Sequence, residues 1–155
     1  IKILPQFSIS EEAIASGLQH VVSNTRLHGR WELIDEYPKI IADVAHNPAG
    51  LQAVFTQLKK EQFDKLHIVF GVVSDKSLNA ILTMLPTQAH YYLCAADVPR
   101  AMQVADLATE FKKNDFDFST HLSVEAALTA AKSRASKEDL IFVGGSLFVV
   151  AEILP

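Results

Sequence analysis

Two rhythms of apolar positions alternate along the chain, one with helical spacing and one of short continuous runs. Ser8-Ile9-Ser10-Glu11 matches a capping box headed by Ser8, and Ile14, Leu18, Val21 and Val22 follow at helical spacing. This predicts a first helix ending near Asn24. Trp31-Glu32-Leu33-Ile34 and Lys39-Ile40-Ile41-Ala42-Asp43 predict two strands joined by a turn around Tyr37-Pro38. A helix is expected from Pro48 to about Lys60, with Leu51, Val54, Phe55 and Leu58 on one face. Leu66 to Val73 is a nearly unbroken apolar run, the pattern of a parallel strand buried on both faces.

The alternation then repeats. The pattern predicts a helix near Ser77–Leu85, a strand at Ala89–Cys94 and a helix at Ala101–Lys113. A short strand near Asp117–Ser119, a helix at Val124–Ala135 and a strand at Asp139–Gly144 follow, with a last helix after Gly145-Ser146. Such β-α alternation implies an α/β fold with a mostly parallel sheet of five or six strands and helices on both faces. The N-terminal hairpin strand is expected to run antiparallel at an edge. No Pro/Gly/Ser linker, repeat or low-complexity stretch divides the chain, so residues 1–155 are expected to form one domain.

Composition narrows the functional classes. The 155 residues are 49% apolar and 21% charged, an ordinary globular balance able to bury a core. A net charge of −4 gives no basic footprint for nucleic acid. The apolar runs are too short to cross a bilayer, and the start at Ile1-Lys2-Ile3-Leu4-Pro5 has no signal-peptide pattern. The single cysteine, Cys94, cannot pair internally and reads as a small core residue; with the missing signal it points to the cytoplasm. His67, His90 and His121 are scattered among strands and turns without the spacing of a zinc site.

The segment richest in candidate chemistry is Asp43-Val44-Ala45-His46-Asn47-Pro48. Asp43 ends a strand, and Asn47 and Pro48 suit the N-cap and N1 positions of the next helix. Open α/β sheets gather ligands where a strand end feeds a helix N-terminus, whose unpaired N–H groups and dipole suit phosphate. Asp43 could accept hydrogen bonds from ribose hydroxyls while His46 meets an anionic group. The plain alternative is an aspartate that only caps a turn beside a half-buried surface histidine.

Neighbouring motifs bear on that choice. Leu27-His28-Gly29-Arg30-Trp31-Glu32 is similar to the Gly-Arg-hydrophobic-Glu segment of folylpolyglutamate and dihydrofolate synthases. Asp43-Val44-Ala45-His46-Asn47-Pro48 resembles that family's most recognisable C-terminal motif, and Phe70 to Ser77 resembles its Gly-x-x-x-Asp-Lys segment. Pro99-Arg100-Ala101, Ser123-Val124-Glu125-Ala126-Ala127 and Asp139 to Leu147 also fit, in order, over nearly the whole chain.

The resemblance implies the C-terminal domain of a larger enzyme in the group that includes the Mur cell-wall ligases. The implied reaction is ATP-dependent addition of L-glutamate to folates or dihydropteroate through an acyl phosphate. It implies that Arg30, Asp43 and His46 contact ATP, and that Lys76 and Ser146 hold the glutamate carboxylate. Surface ion pairing for Arg30, a solvated helix start for Lys76 and N-capping for Ser146 are the structural alternatives. It also implies ATP and Mg2+ as cofactors, the metal being bound mainly by an N-terminal ATPase domain. No Gly-x-x-x-x-Gly-Lys-[Ser/Thr] phosphate loop occurs here. The fragment alone is therefore expected to be inactive and to hold no metal site. Two other readings share the pattern: a Mur-type cell-wall ligase C-terminal domain, and a non-catalytic module binding a nucleotide or amino acid. Asp43 and His46 lie in a loop, so truncating either is expected to leave the fold intact.

Overall fold

The computed structural model describes residues 8–74 and 78–154. Six strands form one sheet in the order β1-β2-β6-β3-β4-β5. They are β1 (Glu32–Glu36), β2 (Lys39–Asp43), β3 (Leu66–Phe70), β4 (His90–Leu93), β5 (Asp117–Thr120) and β6 (Leu140–Gly144). β1 pairs antiparallel with β2 at the edge, and every other pairing is parallel. The expected architecture is present, hairpin strand included.

Alternation of side chains across the pleat divides the core into two layers. On one face Ile41, Ile68, Phe70, Tyr91, Leu93 and Phe142 pack under α3 (Pro48–Leu58), α4 (Leu78–Leu82) and α5 (Val104–Lys113). On the other, Ile40, Ala42, Val69, Tyr92, Ile141 and Val143 pack under α6 (Val124–Arg134) and α7 (Leu147–Ala151). The small residues Ala127 and Ala131 let α6 lie close on the sheet. Cys94 is buried in this second layer, and burial pushes its thiol up to about 12, so it is inert packing.

Several expectations change. The first helix is two, α1 (Glu11–Gln19) and α2 (Val21–Thr25), broken at His20. Its N-cap is Ser10, whose Oγ accepts the Ala13 N–H at 3.1 Å, and not Ser8. Neither helix buries a residue, so Leu18, Val21 and Val22 form an exposed apolar stripe with no core to straighten it. β3 ends at Phe70, short of the expected Val73. A Cβ on Gly71 would meet the Cys94 carbonyl oxygen at 2.6 Å, so the chain passes the end of β4 too closely for a longer ladder. Val73 instead bridges Ala101 antiparallel, which delays α5 to Val104. The expected start of α4 at Ser77 lies outside the described residues.

Candidate functional site

The carboxyl ends of β2, β6 and β3 lie side by side. Asp43 is the lateral partner of Gly144, and Gly144 in turn of Phe70. Residues just beyond these ends therefore share one rim, which is where a mostly parallel sheet collects ligands.

Asp43 is buried, and both its oxygens are engaged by backbone. Oδ2 accepts the Trp31 N–H and Oδ1 the Ala45 N–H, each at 2.8 Å. Val44 N–H also donates to the Gly29 carbonyl at 2.9 Å. These bonds dock the segment 28–32 against the end of β2. Gly29 (φ 71°) and Trp31 (φ 48°) are both left-handed, and a Cβ at Gly29 would meet Val44 Cγ1 at 2.5 Å, so only glycine fits this turn. Glu32 closes the turn from the other side by accepting the Gly29 N–H at 2.6 Å and pairing with His28 Nδ1 at 2.8 Å. Burial alone would raise the Glu32 carboxyl, but those two partners hold it below the usual carboxylate range. The turn presents Arg30, exposed and without an ion pair among the described residues, beside Asp43.

His46 lies beyond Asp43 and is exposed. Its Nδ1 donates to the Val44 carbonyl at 3.0 Å, which makes Nε2 the basic nitrogen of the neutral ring. Asn47 caps α3 as expected, Oδ1 accepting the Gly50 N–H at 2.8 Å with Pro48 at the first helical position. Ser146 is buried and caps α7, accepting the Phe148 N–H at 3.2 Å. The preceding Gly145 has φ 91°, and a Cβ there would meet Phe70 Cε2 at 2.5 Å. Four of the five assigned residues, Arg30, Asp43, His46 and Ser146, thus share the rim; Lys76 lies outside the described residues.

Two features escaped the sequence. Register brings His67, His90 and Asp117 side by side on β3, β4 and β5, so histidines that read as scattered are neighbours. Tyr92 donates its hydroxyl to His67 Nδ1 at 3.0 Å, and His67 Nε2 donates to Asp139 Oδ2 at 3.3 Å. Burial lowers the His67 pKa further than Asp139 raises it, so the ring is neutral in this chain of bonds. No three His, Cys, Asp or Glu side chains converge as a metal cage among the described residues. Second, a cleft of ≈ 400 Å³ lined by Lys65, His67, His90 and Arg134, and one of ≈ 550 Å³ between Phe55, Phe63 and Met84, open at the opposite edge of the sheet. Neither includes any assigned residue. No described helix is long and apolar enough to cross a membrane.

The chain is similar to known proteins over most of its length. The family model for the Mur ligase, glutamate ligase domain, matches residues 29–147. A probable bifunctional folylpolyglutamate synthase/dihydropteroate synthase of Haloferax volcanii is 37% identical over 93% of this chain and 17% of its own length. The structure of Escherichia coli FolC in complex with DHPP and ADP superposes with a TM-score of 0.81 at 28% identity, over 95% of this chain and 34% of that one. A bifunctional folylpolyglutamate synthase/dihydrofolate synthase with Mn, AMPPNP and L-glutamate bound gives 0.81 at 30% identity, with the same coverage. The chain spans about a third or less of the length of these relatives. It belongs to the Mur ligase, glutamate ligase domain family, and these relatives are named as folylpolyglutamate and dihydrofolate synthases.

Proposed function

We propose that this chain is the glutamate-adding C-terminal domain of a longer cytoplasmic ligase, which joins L-glutamate to a folate or to dihydropteroate at the expense of ATP. The observation that carries this reading is the seating of the 28–32 turn, the Asp43–Pro48 segment and the Ser146 loop on adjacent strand ends. Its relatives include a folylpolyglutamate synthase/dihydrofolate synthase structure with Mn, AMPPNP and L-glutamate bound.

In the reaction, a substrate carboxylate attacks the γ-phosphorus of ATP, giving an acyl phosphate and ADP. The glutamate amine then attacks the acyl carbon. The C–N bond forms, the C–O bond to phosphate breaks, and the amine nitrogen loses a proton. Arg30 neutralises phosphate charge with a planar fork suited to bidentate contact. Asp43 acts first by positioning: it holds the turn that carries Arg30, and its remaining lone pairs face the ribose. When protonated, His46 offers Nε2–H to an anionic oxygen beside the start of α3.

The magnesium that such chemistry uses would screen the phosphates, with its ligands in the ATPase part of the parent. In this reading the other wall of the site is the ATPase domain of the parent. Assaying the full-length parent with dihydropteroate, tetrahydrofolate and a UDP-muramoyl acceptor side by side tests the reading. Glutamate-dependent ADP release with a pteridine acceptor is expected, and activity only with the muramoyl acceptor would overturn it.

A further inference from the structure

The groove at the amino ends of the central strands has no part in the reading above. Two clefts make it up: one of ≈ 400 Å³ walled by Lys65, His90 and Arg134, and one of ≈ 550 Å³ walled by Phe55, Phe63 and Met84. Lys65, Leu66, Thr87 and Gln88 line both, so the polar cleft opens directly into the apolar one. Leu66 and His90 begin β3 and β4, whereas Asp43 and Gly144 end β2 and β6. The groove and the rim are therefore a strand length apart, roughly 13–17 Å.

The polar cleft keeps its cations. His90 Nδ1 donates to Asp117 Oδ2 at 2.8 Å, and Arg134 Nη1 rests against the same ring, 3.3 Å from Nε2 and 3.5 Å from Nδ1. Asp117 is thus held by the histidine and not by the guanidinium. Neither Lys65 nor Arg134 has an ion pair among the described residues. Asp139 is buried, where it accepts the Lys65 and Ser136 N–H groups and His67 Nε2. His67, also on the wall, stays neutral because burial lowers its pKa. The apolar cleft adds Lys59 and one carboxylate, Asp64. Positive charge therefore gathers at this groove in a chain whose net charge is −4.

We propose that the groove binds a small amphipathic carboxylate, its anionic head in the polar cleft at Lys65 and Arg134 and its aromatic or alkyl body in the apolar cleft between Phe55, Phe63 and Met84. Both clefts fall within the range of about 300–1,000 Å³ in which proteins hold small ligands. Apolar burial supplies the affinity, and the two cations select for charge. A neutral body would leave Lys65 and Arg134 without a partner, and a bare anion would leave the apolar cleft in water. Because the groove is remote from the rim, its occupation does not compete with ATP or glutamate.

Calorimetry and amide NMR on the 155-residue chain test this, with 2-naphthoate as the probe. Its uncharged counterpart, 2-naphthalenemethanol, lacks the head, and acetate lacks the body. Naphthoate should bind with a Kd on the order of 0.1–1 mM, moving the amide signals of Lys65, Gln88 and His90 and leaving those of Asp43 and Ser146 in place. The alcohol and acetate should each bind at least about tenfold more weakly. Lys65→Ala and Met84→Ser change side chains outside the buried core, so each should keep the wild-type Tm while weakening naphthoate about 5–10-fold. No heat and no shifts at roughly ten times the expected Kd would overturn the proposal. Equal affinity for the alcohol would remove the anionic head, and shifts confined to Asp43 and Ser146 would place binding at the rim; either result defeats it.

Discussion

The carboxylate of Asp43 offers the sharpest test of how this rim is built. The sequence places Asp43 in a loop, where truncation ordinarily costs little, but it is the last residue of β2, each oxygen accepts a backbone N–H at 2.8 Å and the residue is only 8% exposed. Hydrogen bonds to charged groups are worth about 1.5–3 kcal/mol each, and an orphaned buried donor costs on the order of 1–3 kcal/mol. Asp43→Ala removes both bonds, while water entering at the rim recovers part of the loss, so about 2–4 kcal/mol is expected. Asp43→Asn keeps one acceptor and turns an NH2 towards a donor, for about 1.5–3 kcal/mol. With a urea slope of about 2 kcal/mol per molar, the midpoint of Asp43→Ala should fall by about 1–2 M.

Urea unfolding of residues 1–155, followed by circular dichroism, reads this directly. In the parent, both variants should also lose turnover, because the Arg30 turn is released with them. His46→Ala makes the contrast: an exposed side chain beyond the end of β2, it should keep the wild-type midpoint while turnover falls on the order of 10²-fold. An Asp43→Ala variant with an unchanged midpoint would refute the positioning role, since it would mean that Trp31 and Ala45 do not depend on the carboxylate.

Three further outcomes follow from the same structure. His67 has a folded pKa below its ordinary 6.5, so its contribution to stability is complete above that pH and is lost as pH falls through the lower folded value. Asp139, whose pKa burial would raise but which the Ser136 N–H and His67 pull down, adds a further loss well below pH 3.8. Urea midpoints measured from pH 7.5 to 5 should therefore decline, and His67→Gln should flatten that decline; an identical slope would contradict it. Gly145→Ala would force a Cβ at φ 91° to within 2.5 Å of the Phe70 ring, and should cost about 1–3 kcal/mol, a drop in Tm of roughly 3–10 °C by calorimetry. Residues 1–155 alone should unfold in one cooperative urea transition yet release no phosphate from ATP with magnesium, because half of a site cannot neutralise a transferring phosphoryl group.

The strands were legible because burial on both faces leaves an unbroken apolar signature, as at Ile68-Val69-Phe70 and Ile141-Phe142-Val143. The ends of elements were not. Val72 and Val73 are as buried as a strand but belong to a loop, because Gly71 runs against the Cys94 carbonyl and sends the chain to Ala101. That contact lies between residues distant in sequence and leaves no local pattern. Helical spacing at Ile14, Leu18, Val21 and Val22 reported an amphipathic face correctly, but periodicity carries no information on whether a partner covers it. The helices accordingly form, break at His20 and bury nothing.

The placing of the candidate residues on one rim was readable for a related reason: Arg30, Asp43 and Ser146 flank strand ends, and strand ends share a rim in any mostly parallel sheet. Their contacts were not readable. Asp43 satisfies Trp31 only because Trp31 adopts a left-handed backbone, φ 48°, which a tryptophan side chain does not advertise. The His67–Asp139 pair spans β3 and the approach to β6, and it depends on a register that places Leu66 opposite Leu140. What the sequence could not show, then, is which polar groups the fold itself consumes. Asp43 spends its hydrogen bonds on the scaffold and Ser146 caps a helix, whereas Arg30 and His46 stand exposed at the same rim. Ligand recognition at this rim should accordingly depend on Arg30 for charge, and on Asp43 and Ser146 for holding the loops around it.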